Sequence, residues 1–88
     1  MTTRSVTILN RAGIHARPAS LIVQTAQQFD SSIWIEKEDV KINAKSIMNI
    51  LTLGATYQTQ LTLSAEGEDE EEAVEEMAQL FDNKFREE

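Results

Sequence analysis

Apolar residues in this chain repeat with two different periods, and the order in which those periods alternate constrains its fold more than anything else. Val6 and Ile8, Ile33 and Ile35, Val40 and Ile42, and Leu61 and Leu63 recur at every second position, the spacing that turns side chains to one face of a strand. Ala19, Ile22, Val23, Ala26 and Phe29 instead recur at helical spacing, as do Ala73, Val74, Met77, Leu80 and Phe81. Strands are therefore predicted over 5–9, 33–36, 40–43 and 60–65. A first helix of about three turns is predicted to have Pro18 in its first turn and to continue from Ala19 to Phe29. A short helix over 47–53 ends at Gly54, and a long one follows Asp69. The order β-α-β-β-α-β-α, with short links, predicts an α+β open-faced β-sandwich: a four-stranded antiparallel sheet with three helices on one face. Eighty-eight residues match one small domain, so residues 1–88 are expected to share a single core.

Several side chains have places that follow from this pattern. Ile33 and Ile35 share one face of their strand, which puts Trp34 on the open side of the sheet. Val40 and Ile42 are expected to point inward. Asp69 followed by Glu72 has the spacing of a capping box, with Lys84 and Arg86 complementing the far end of the last helix. In the short helix Ile47, Ile50 and Leu53 compete for one inward stripe, which leaves Met48 and Leu51 partly exposed. Exposed apolar clusters mark contact surfaces.

Charge is unevenly placed. Residues 66–88 carry eleven acids against Lys84 and Arg86, whereas residues 1–65 carry six bases and four acids. The net charge of −7 thus belongs to the last segment. With no basic stripe interleaved with aromatics, nucleic acid is not an expected partner. The absence of cysteine excludes disulfides, thiol catalysis and thiolate metal sites. Apolar runs such as 47–51 fall far short of the ~18 to 20 residues of a membrane span, and Met1–Val6 lack the pattern of a signal peptide. A cytoplasmic protein without membrane insertion is expected.

Chemistry concentrates in Gly13-Ile14-His15-Ala16-Arg17-Pro18-Ala19, which holds the only histidine and the only proline. One histidine does not make a metal site, and no nucleophile-elbow pattern accompanies it. An imidazole is largely neutral and nucleophilic at neutral pH, so His15 can accept a group on a ring nitrogen. A phosphoryl group there would meet the free N–H groups of a helix start and the Arg17 guanidinium. The plainer alternative is that His15 only caps a helix. No metal or cofactor is expected.

These seven residues resemble the active-site signature of the HPr family, the histidine-containing phosphocarriers of the phosphoenolpyruvate-dependent phosphotransferase system. The similarity continues through Lys45-Ser46-Ile47-Met48 and Ser64-Ala65-Glu66-Gly67-Glu68-Asp69-Glu70. It implies that Nδ1 of His15 is phosphorylated by enzyme I, itself charged from phosphoenolpyruvate, and that the group passes to enzyme II A domains in sugar uptake. The protein would be a stoichiometric carrier and not an enzyme that turns over substrate. Arg17 matches the phosphate-stabilising arginine. Ser46 matches the serine phosphorylated by an HPr kinase/phosphorylase and read by a catabolite control transcription factor; from chemistry alone it is also a good helix N-cap. Ala16, Ile47, Met48 and Leu51 match the family's partner-docking patch, and a monomer is expected.

The chain departs from the family pattern in places. Gln24 and Gln27 stand where many members carry lysine, and Trp34 lies on a face often left polar. The ending Leu80-Phe81-Asp82-Asn83-Lys84-Phe85-Arg86 is similar to that of the nitrogen-related paralogues. Two other readings therefore stand beside the carrier: a regulatory paralogue that acts by phosphorylation-dependent binding, and a small binding module with a structural histidine. His15 counts against the last, because purely regulatory relatives can lack it.

Overall fold

In the computed structural model, which describes residues 1–87, the elements follow the predicted order. They are β1 (Thr2–Thr7), α1 (Ala16–Ala26), β2 (Ser32–Lys37), β3 (Val40–Asn43), α2 (Ile47–Thr52), β4 (Gln60–Glu66) and α3 (Glu70–Asp82). A 3₁₀ turn, Lys84–Arg86, follows α3. The strands form one antiparallel sheet in the order β1-β4-β2-β3. Each crossover from β1 to β2 and from β3 to β4 skips one strand, so each skipped strand runs opposite to its neighbours.

Register puts the period-two residues side by side. Val6 pairs with Leu61, Ile33 with Ala65, and Ile35 with both Leu63 and Ile42. All of these are buried, and the helices close over them with Ile22, Ala26, Ile50, Met77 and Phe81. The opposite face pairs Trp34 with Ser64 and Asn43, and Lys41 Nζ lies 4.8 Å from the Trp34 ring centroid. The half-buried indole thus occupies the open side, as its alternation predicts, with a cation over its π-face.

α1 begins at Ala16, which puts Pro18 in the first turn as expected, where helix N–H groups have no intrahelical acceptor. Three expectations need correction. β1 begins at Thr2 and ends before Ile8, whose backbone pairs instead with Thr59 and Gln58. α1 ends at Ala26; Gln28 and Phe29 donate to Thr25 and Ala26 in a tightened last turn that still buries Phe29. Val40 is 51% exposed although it shares the helix-side face with Ile42. It sits at the hairpin end of a four-residue edge strand.

The capping box at α3 does not form either. Asp69 turns its carboxylate to the α1–β2 connection, accepting from the backbone of Asp30 at 2.9 Å and of Ser31 at 3.0 Å, and from the Ser31 hydroxyl. Glu70 takes up Gly67 N at 3.2 Å and Thr2 Oγ1 at 2.6 Å. Helix start and neighbouring loop are thereby tied together, which the local pattern of α3 alone does not foretell.

Candidate functional site

The loop before α1 is held from both sides. Asn10 is fully buried, its Nδ2 donates to Gly13 O at 2.8 Å, and Gly13 N donates back to Asn10 O at 3.1 Å. Gly13 has φ +72°, and a Cβ there would stand 2.8 Å from Ala55 O, so only glycine lets the loop lie against residue 55. Ile14 N then donates to that same Ala55 O at 3.0 Å. The next residue, His15, is the N-cap of α1 in extended conformation.

Its ring makes no capping hydrogen bond. The helix-cap explanation of His15 therefore fails for the side chain, which is 45% exposed. Nε2 lies 2.7 Å from Glu87 Oε2, which leaves Nδ1 as the ring nitrogen for chemistry. Arg17, two residues into the helix, donates from Nη1 to Phe85 O at 2.9 Å and lies 3.6 Å from Glu87 Oε2. Glu87 Oε1 accepts from Asn10 Nδ2 at 2.9 Å. The Asn10 hydrogen bond first, then that of His15 and the charge of Arg17, hold the Glu87 carboxyl below the usual carboxylate range against its partial burial. Beside them an open groove of about 510 Å³ is lined by Arg11, Ala12, Arg17, Arg86 and Glu87.

At α2 the side chains other than Ile47 take the places their spacing predicts. Ser46 is the N-cap, its Oγ accepting from Asn49 N at 3.3 Å and Asn49 Nδ2 at 3.0 Å. Ile50 and Leu53 face the core, whereas Ile47, Met48 and Leu51 are 37%, 69% and 40% exposed. Ile47 thus joins the surface and not the inward stripe. α2 packs on α1, and Ala16 is exposed at the start of α1. The polar contacts of His15 and Arg17 run to the segment after α3.

Residues 2–83 match the family model described as the PTS HPr component phosphorylation site. This chain belongs to the HPr family. It is 48% identical, over the full length of both chains, to the phosphocarrier protein HPr of Treponema pallidum (strain Nichols). It is 45% identical to the HPr-like protein Crh of Bacillus subtilis (strain 168) over 89% of this chain and 92% of that one. The crystal structure of HPr-C-His from Thermoanaerobacter tengcongensis superposes with a TM-score of 0.96 at 51% identity, covering 100% of this chain and 99% of that one. As a member of that family the protein is a phosphoryl carrier and not an enzyme with turnover of its own.

The sequence pattern alone did not point to Glu87 or Asn10. Glu87 read as part of an acidic tail, and Asn10 as loop punctuation. A signal was present: Phe85 stands alone among charged residues, and an aromatic there demands burial, which bends the following residues back toward the core. Among the described residues there is no cluster of three or more metal-ligating side chains, and no helix is long and apolar enough to cross a membrane.

Proposed function

We propose that the protein accepts a phosphoryl group on Nδ1 of His15 from enzyme I, charged by phosphoenolpyruvate, and passes it to enzyme II A domains in sugar uptake. The observation that carries this reading is an exposed imidazole at the N-cap of α1, free of any capping duty, with the Arg17 guanidinium beside it. A phosphoryl group on Nδ1 brings nearly two negative charges to a helix start whose first N–H groups lack intrahelical acceptors. Arg17, now on Phe85 O and Glu87, supplies the charge-assisted hydrogen bonds once it turns to the phosphate. Ile47, Met48, Leu51 and Ala16 form the docking face in this reading. Ser46 is the regulatory position, served by an HPr kinase/phosphorylase and read by a catabolite control transcription factor. The working unit in this reading is a cytoplasmic monomer with residues 1–88 as one domain.

Similarity to Crh supports a second reading, a regulatory paralogue whose output is phosphorylation-dependent binding. Incubation with phosphoenolpyruvate, magnesium and enzyme I is expected to place an acid-labile phosphate on the protein and none on His15→Ala. Label that survives His15→Ala, or no label on the natural chain, overturns the relay. Onward transfer to an enzyme II A domain then separates the carrier from the regulator.

A further inference from the structure

The segment after α3 is the most strained part of the fold. Lys84, Phe85 and Arg86 have φ of 54°, 53° and 61°. A run of non-glycine residues in the left-handed region crowds Cβ against the backbone, and such strain persists only where the surroundings over-determine it. Here Phe85 is fully buried, its ring centroid 4.9 Å from that of Phe81 in an edge-to-face contact. Arg86 N and Glu87 N donate to Asn83 O and Lys84 O at 2.9 and 3.0 Å, which closes the turn. Its result is chemical: it delivers Phe85 O to Arg17 and the Glu87 carboxylate to His15.

We propose that Glu87 is a positioning residue for phosphoryl transfer, holding the proton of His15 on Nε2 so that Nδ1 meets phosphorus with its lone pair. The inference rests on the carrier reading above. Oε2 lies 2.7 Å from Nε2, while Oε1 accepts from Asn10 Nδ2 at 2.9 Å. The same Asn10 nitrogen donates to Gly13 O at 2.8 Å, so both of its protons are engaged and the amide orientation is set. With its carboxyl held below the usual range, Glu87 is ionised at neutral pH and accepts only. An acceptor-only partner at Nε2 requires the proton to sit there, and the lone pair of the neutral ring is then on Nδ1.

The transfer step balances with this arrangement. The Nδ1 lone pair forms the N–P bond as the bond from phosphorus to its donor on enzyme I breaks, and the donor keeps that electron pair. The ring retains its Nε2 proton and becomes cationic, and Glu87 faces that charge as it develops. An interaction that strengthens as the reaction proceeds raises the rate and not merely the affinity. Transfer onward reverses the same steps.

The test uses the full chain, ¹⁵N-labelled, with Glu87→Ala and Glu87→Gln. In the neutral ring of the natural protein, a resolved Nε2–H proton is expected, together with an Nδ1 ¹⁵N shift characteristic of a bare lone pair. Glu87→Ala is expected to lose that proton to solvent exchange and to move both ¹⁵N shifts toward a tautomer average. Its single-turnover phosphorylation by enzyme I is expected to slow about tenfold, the rate equivalent of one hydrogen bond. Glu87→Gln, which keeps an acceptor and lacks the charge, should restore the tautomer signature and only part of the rate. Ring signals and rates unchanged in Glu87→Ala would overturn the inference. A natural chain that takes no phosphate from enzyme I overturns the carrier reading and the kinetic half of the inference with it; the ring signature then still decides whether Glu87 sets the tautomer.

Discussion

Ser46 illustrates how one residue serves two demands. As N-cap of α2 its hydroxyl satisfies Asn49 N, a structural duty that a carboxylate performs equally well. A negative charge at this helix start is electrostatically favourable, so Ser46→Asp is expected to change stability by less than about 0.5 kcal/mol. It would, however, place an anion beside the exposed Met48 and Leu51 and repel acidic partner surfaces. Phosphorylation of His15 by enzyme I should therefore be slower in Ser46→Asp, and equal rates in the two proteins would rule out the switch. His15, Arg17 and Ser46 could be named as candidates from the chain because each lies in a short motif whose chemistry is local. Glu87 could not, since what places it at the site is a contact with a residue 72 positions away.

At the scale of elements, the joint between α3 and the α1–β2 connection is the clearest departure from local pattern. The hydrogen bonds to Asp69 from the Ser31 hydroxyl, then from the backbone of Asp30 and of Ser31, hold its carboxyl below the ordinary value of 3.8. The unfolded chain consequently binds this proton more readily than the folded one. The stabilisation is fully present above that ordinary value and is lost as pH falls through the lowered folded value. Asp69→Asn is expected to be less stable than the natural chain near neutral pH, with the difference shrinking under acid conditions; urea unfolding across that range measures it. A constant difference at every pH would assign the loss to the amide's geometry and not to titration. The capping-box spacing at 69–72 was visible in the sequence, but the competing donors at Asp30 and Ser31 enter only when α1 and α3 pack together. Val40 gives the same lesson in reverse: its alternation was read correctly, and the missing cover was not in the strand.

Across the whole molecule the division is between a core behind the sheet and an apolar face left uncovered at α2. Ile50 is 1% exposed and Met48 is 69% exposed within one helix of six residues. Ile50→Ala is expected to cost about 2–4 kcal/mol through lost burial and a cavity, a large share of the roughly 5–15 kcal/mol typical of a domain. Met48→Asp should leave the thermal midpoint nearly unchanged while weakening transfer to enzyme II A domains. A large loss of stability in Met48→Asp would return that side chain to the core.

By itself the sequence determined the elements, their order and the antiparallel α+β architecture, because hydrophobic periods of two and of 3.6 residues are local records of which face each segment must bury. It also singled out the place where phosphoryl chemistry is proposed, since histidine, arginine and proline at a predicted helix start fall within seven residues. Tertiary structure alone decided what surrounds the imidazole. Burial of Phe85 against Phe81 forces a left-handed turn, and that turn returns Phe85 O and Glu87 to the far end of the fold. The contact joins residues 10, 15, 17, 85 and 87, and no period or spacing along the chain encodes a meeting made by packing.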